Sequence, residues 1–305
     1  MSKRKDFELA NIAKNMIEEM FEVKPGETVV ITADTGTNMD IVDALATATY
    51  LAGAKPLSIR MATPRGEGGA ANPDLAIESL VGALVGADVW IELNSKFILY
   101  SEVWERALDD NKELRYLIVY DATVEQLHDL ITKTDVDILE KLLNNIKNML
   151  LETKRVTIKS ERGTNVTFEM DPNHLIDTDH GKYDKRTEGF GTLPGYVNVV
   201  PKFDTMEGNI VFDGLANLGI LTNDHVEFKM ESGKITEFIG DAKAKEFQVF
   251  VDSFEDEAMR KISHMMLSFN PGVQKLTGSI VMDERIYGGV DFGFGFTSPI
   301  DAPPL

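Results

Sequence analysis

Apolar residues recur at helical spacing through Ala13, Met16, Ile17, Met20 and Phe21, the stripe of an amphipathic helix. Pro25-Gly26 breaks that pattern, and "ETVVIT" at 27–32 follows as a short apolar run of buried-strand type. A second helix is predicted over "NMDIVDALATATYLAG", with Asn38 as its N-cap and Gly53 as its stop. Further strands are expected at "KPLSIRM" (55–61), "ADVWIEL" (87–93) and "LRYLIVY" (114–120), separated by helical stretches near 74–85 and 101–109. Strands spaced by helices of this length predict a doubly wound parallel sheet with Rossmann- or flavodoxin-like layers. "DVDILEKLLNNIKNML" then carries Leu139, Leu142, Leu143, Ile146, Met149 and Leu150 on one side and closes a domain placed at 1–151.

The periodicity changes beyond that helix. "KRVTIKSERGTNVTFEM" alternates about Arg162-Gly163, a hairpin signal, and "HVEFKMESGKITEFIG" does so about Ser232-Gly233. Short strands are also expected at "GYVNVVP", "GNIVFDG", "LTGSIVMD" and "GGVDFGFGF". One long helix is predicted over roughly 243–262, striped by Phe247, Val251, Phe254, Ala258 and Ile262. The second domain, 152–305, is thus expected to be a β-rich α+β unit.

Charge and composition narrow the partners. With 31 basic and 50 acidic residues in 305, the net charge of −19 repels phosphate backbones and anionic lipids. No nucleic-acid or membrane partner is expected. The absence of cysteine excludes disulfides, thiolate metal sites and cysteine nucleophiles. The N-terminus lacks the apolar core of a secretory signal, and no run is long enough to span a bilayer, so a cytoplasmic location is expected.

Few residues suggest chemistry by themselves. Gly66, Gly68 and Ala71 have G-x-G-x-x-A spacing, but after the second strand and with Pro73 before the next helix, which favours a loop over a nucleotide cradle. Asp177, Asp179, His180 and Asp184 form the densest polar stretch, readable as a solvated loop or as part of an active site. His264 falls off the apolar stripe if the helix continues, and shares a face with Met266 and Ser268 if a strand begins there. Either a structural histidine or a metal ligand fits that position.

The ordered set "GTLPGYVNVVP", "EGNIVFDG", "SHMMLSFNPG" and "LTGSIVMDERIYGGVDFGFG" resembles the metal-dependent superfamily of aminopeptidase T-type metallopeptidases and dihydroxypyridine ring-cleaving dioxygenases. Compared with the peptidase branch, Tyr196 and His264 stand where that branch has glutamates, and Asp291 where it has a histidine. A histidine at 264 is similar to the dioxygenase branch, where it joins a C-terminal His and Asp around one iron; such a His-x-Asp is expected beyond "SPIDAPPL".

The resemblance therefore implies a homo-oligomeric Fe(II) dioxygenase acting on a hydroxylated N-heterocycle. His264 would bind the metal, and Asp291 would bind it or orient a ligand. His180 or Asp179 would transfer a proton, and Tyr196 would line the pocket. Two alternatives stand beside it: a divergent aminopeptidase-like hydrolase using Zn, Co or Mn, and a metal-free binding protein on the same scaffold.

Overall fold

The computed structural model describes residues 3–120, 122–184, 191–297 and 302. The chain forms two compact units, Met1–Glu140 with Asp179–Pro194 and Lys141–Thr178 with Gly195–Leu305. Among the described residues no helix is long and apolar enough to cross a membrane.

In the first unit, α1 (Lys3–Lys14) continues through a π-helical turn, Asn15–Met20. Met16, Ile17, Met20 and Phe21 of the predicted stripe are buried there. The strands β1 (Thr28–Asp34), β2 (Lys55–Met61), β3 (Val89–Glu92) and β4 (Arg115–Ile118) form a parallel sheet in the order β2-β1-β3-β4. The helices α2 (Met39–Leu51), α3 (Ile77–Val85) and α4 (Glu102–Asp110) connect them. Asn38 caps α2 by accepting the Asp40 N–H, and Ser101 caps α4 by accepting that of Trp104. Two short helical segments, α5 (Val124–Leu127) and a π turn His128–Thr132, lead to α6 (Val136–Leu151).

Every residue of β3 and nearly every residue of β1 is buried, as both faces of a parallel sheet require. Half-exposed β2 is an edge. The Lys55 N–H bonds to Glu27 O, so the alternate residue Pro56 faces the open side, where its missing N–H removes no ladder bond.

The order of the sheet reverses between β1 and β3, and polar groups gather at that end. Asp34 accepts the Gly36, Thr37 and Lys96 N–H groups and the Ser95 hydroxyl. Burial raises its pKa, but these donors outweigh it and hold the carboxyl below its usual range.

Glu92 lies in a drier place. It is fully buried and accepts from the Ile98 N–H at 2.6 Å and the Tyr116 hydroxyl at 2.7 Å. Burial pushes its pKa from 4.5 to about 7, more than these two bonds lower it. Because the folded value is the higher one, the neutral acid's contribution is complete below pH 4.5 and is lost as pH rises through 7. The wild-type chain should therefore lose about 2–3 kcal/mol of stability between pH 5 and 8 at this residue alone. Glu92→Gln should remove that component from urea-unfolding curves; an unchanged pH slope would show that the carboxyl is ionised throughout.

The second unit is built on antiparallel sheets. The hairpin β5 (Arg155–Lys159) and β6 (Asn165–Glu169) turns through Arg162-Gly163 as predicted. With β9 (Glu207–Val211), β12 (Val226–Glu231) and β13 (Lys234–Gly240) it forms a sheet ordered β13-β12-β9-β6-β5. The β12–β13 turn holds Ser232 at φ +48 and Gly233 at φ +71, two left-handed residues that a tight hairpin needs. A minor pair joins β10 (Gly214–Leu215) to β11 (Gly219–Ile220). The remaining sheet is ordered β15-β14-β8-β7, from β7 (Ile176–Asp179), β8 (Tyr196–Val199), β14 (Ile262–Ser268) and β15 (Val290–Phe294).

Two expectations fail here. The helix predicted over 243–262 is α7 (Ala242–Asp252) alone, because the chain breaks at Glu255, φ +52, and Ile262 enters β14. Its apparent stripe continued by coincidence of spacing, and Phe254 is about half exposed. "LTGSIVMD" is not a strand but the short helix α8 (Ile280–Asp283), since the Asp283 carboxylate folds back onto the Thr277 and Gly278 N–H groups.

Candidate metal centre

Pairing across β8, β14 and β15 decides which side chains share a face. Met266 is opposite Asn198 on one side and Asp291 on the other, His264 is opposite Gly293, and Ser268 is opposite Tyr196. Opposed residues in an antiparallel pair point the same way, so these seven share one face. The reverse face carries Val197, Val199, Met265, Phe292 and Phe294, and Phe294 packs edge-to-face with buried Phe228 in an apolar core. His264 thus starts no helix. It lies in the strand reading, half-buried on the polar face, while Met265 beside it belongs to the core.

The tautomer of His264 follows from its neighbour. Ser263 has one hydroxyl proton, donated to the Phe296 carbonyl at 2.6 Å. Its oxygen can therefore only accept from His264 Nδ1, 3.4 Å away, a contact that favours the proton on Nδ1.

Sequence reasoning missed Glu284 and Arg285. Glu284 interacts electrostatically with Asp291, Arg285 and His264. Both carboxyls are pushed above their usual range, Glu284 by burial and then by Asp291, and Asp291 by burial. Arg285, 1% exposed, opposes both shifts, donates to Val281 O at 2.6 Å and to Glu284 at 3.3 Å, and lies 5.2 Å from the centre of the Tyr196 ring. Tyr196 is 3% exposed and forms the platform beneath that guanidinium. The available signal was the Glu-Arg pair inside "VMDERIYGG", directly after buried Val281 and Met282.

An imidazole and a carboxyl on one face, with the Glu284 carboxyl interacting with both, are donor types that suit a divalent cation. Among the described residues, no three His, Cys, Asp or Glu side chains converge as a metal cluster. The C-terminal His-x-Asp expected beyond Leu305 falls outside the 305 residues of the sequence.

Gly293 sets the position of the ring. A Cβ there would lie 2.3 Å from His264 Cε1, so the imidazole rests directly on the Gly293 backbone. Gly293→Ala should push the ring aside and weaken metal binding by about 10–100-fold, the usual cost of a lost orienting contact. Titration calorimetry with Zn(II) checks this, and wild-type affinity would mean that the ring has room to spare.

The other two candidate residues belong to the first unit. Asp179 is 4% exposed and accepts from the Gly181 N–H, the Tyr183 hydroxyl at 2.6 Å and the Thr192 N–H at 2.8 Å. His180 is half-buried, and its Nδ1 accepts the Lys182 N–H at 3.2 Å. His174 is a packing residue, with its ring 4.8 Å from Phe203 and Nδ1 3.1 Å from Pro201 O.

This two-unit fold, with a histidine and a carboxyl on one sheet face, fits a class of metal-dependent enzymes. Within that class the chain belongs to the family described as "NicX: 2,5-dihydroxypyridine 5,6-dioxygenase", which matches residues 9–287. No curated protein gives a significant match.

Two solved structures are similar in fold. The 2,5-dihydroxypyridine dioxygenase of Pseudomonas putida KT2440 has TM-score 0.79 and 18% identity, over 98% of this chain and 89% of that one. Wild-type AmpT from Thermus thermophilus has TM-score 0.65 and 17% identity, over 94% and 85%. The dioxygenase and aminopeptidase families generally use a divalent metal.

Proposed function

We propose that this protein is a non-haem Fe(II) dioxygenase that opens the ring of a small hydroxylated N-heterocycle of the 2,5-dihydroxypyridine type. The observation that carries the reading is His264 and Asp291 on one sheet face in a member of this family. An imidazole and a carboxylate on one face are two parts of the donor set that leaves iron open for other ligands. Fe(II), when bound, supplies the one-electron chemistry by which a closed-shell ring reacts with dioxygen.

The chain's own residues do the rest. Ser263 favours the proton on Nδ1 of His264, which makes Nε2 the donor atom. Asp291 supplies the carboxylate, and Arg285 beside Glu284 limits the charge left when no cation is present. For His180 the proposed role is proton transfer, from a turn that Asp179 ties down. Tyr196 acts from below by seating Arg285.

The test loads the full chain with Fe(II), then with Zn(II), and supplies 2,5-dihydroxypyridine with and without oxygen. Oxygen uptake matched to loss of the substrate absorbance, with iron only, is expected. Product release that continues unchanged under argon would replace this reading with a hydrolase.

A further inference from the structure

Asn198 occupies the centre of β8 between Val197 and Val199, where a β-branched apolar residue would pack better. Its amide oxygen is buried, and among the described residues no donor reaches it. An unpaired buried carbonyl is destabilising unless something outside the free chain supplies a donor.

Its place in the sheet says where that donor comes from. Asn198, Met266 and Asp291 form one cross-strand row, with His264 two residues along β14 from Met266. Two strand spacings, about 10 Å, separate the ends of the row. Half-buried Met266 stands between them, so Asn198 and Asp291 face each other across a thioether rather than across a shared ion. A thioether makes a favourable floor for a flat aromatic ring.

We propose that Asn198 is a substrate-positioning residue: its amide oxygen accepts the ring N–H of a 2-pyridone-type heterocycle lying on Met266, with the opposite edge of the ring turned to His264 and Asp291. This rests on the dioxygenase reading and names the feature selected at that site, an N–H donor in the ring. A hydroxypyridine in its lactam tautomer carries such a donor; the isosteric pyranone, with ring oxygen in its place, offers a lone pair that the amide oxygen repels.

The test measures ring binding and metal binding separately on the full chain. Titration calorimetry under argon compares 5-hydroxy-2-pyridone with 5-hydroxy-2-pyranone on Zn(II)-loaded protein, and Zn(II) itself on the metal-free protein. Wild type should bind the pyridone at least about 10-fold more tightly, the worth of one buried hydrogen bond. Asn198→Leu should bring the ratio near one with Zn(II) affinity unchanged, and Asn198→Asp, which keeps an acceptor, should restore the preference. If Asn198→Leu does not fold, Asn198→Ala serves in its place.

A preference that survives loss of the amide puts the acceptor elsewhere and overturns the proposal. So does a parallel loss of Zn(II) binding, which would make Asn198 a ligand or a packing residue. Wild type that binds neither ring removes the dioxygenase reading itself, a result distinct from failure of Asn198 alone.

Discussion

His264→Ala is expected to leave the chain folded and to abolish iron binding at the proposed centre. The imidazole is half-buried on the polar face, so its loss opens no core cavity, while Met265 on the other face keeps the strand packed. Loss of an orienting neighbour usually costs 10–100-fold in metal affinity or activity, and loss of a donor atom should cost at least about 100-fold. Iron per chain after anaerobic loading, read beside circular dichroism, checks both halves. His225→Ala is the control, since that exposed ring meets only Glu227, at 3.1 Å, among the contacts resolved. A His264→Ala protein that retains its iron would remove this residue from the site.

Gly195→Ala should be strongly destabilising for a single added methyl group. Gly195 has φ +136, a conformation strained for any L side chain, and an added Cβ would lie 2.6 Å from Asn270 Cβ. Its carbonyl accepts the Phe269 N–H at 2.6 Å, so the Pro-Gly before β8 and the Asn-Pro-Gly after β14 are locked backbone to backbone. Strain and overlap each cost about 1–3 kcal/mol, and the two together about 3 kcal/mol or more. Urea unfolding of the second unit, followed by near-ultraviolet circular dichroism, would show an earlier midpoint. Unfolding indistinguishable from wild type would mean that the two turns can separate.

The parallel sheet was legible because each of its strands is a short apolar run between helical stretches, the first of them opened by a visible cap, Asn38. The hairpins were legible because Arg162-Gly163 and Ser232-Gly233 leave little choice of turn. Stripe spacing misled at 254–262, where apolar residues at helical intervals come from a helix, a turn and a strand in succession. Propensity misled at 280–283, where one carboxylate, Asp283, overrides an Ile-Val pair.

The site was half legible. A histidine at 264 is visible to anyone who asks why it is not a hydrophobe, and the motifs around it resemble a known superfamily. Asn198 was not, because its significance depends on strand register. Asn198 joins His264 and Asp291 only when Met266 is set opposite both Asn198 and Asp291, and a one-residue slip would send it to the core face. Tyr196 was read as a pocket residue from its neighbours in the chain; its partner is Arg285, 89 positions away.

Pro56 bears on what copies of the chain can do to one another. A strand brought alongside β2 from a second molecule would find one donor missing and a pyrrolidine ring in its way, at the rim most open to addition. The four-stranded sheet is therefore a poor template for its own extension. Runaway stacking through that rim, a hazard for any chain with an open sheet, is disfavoured by a single imino acid.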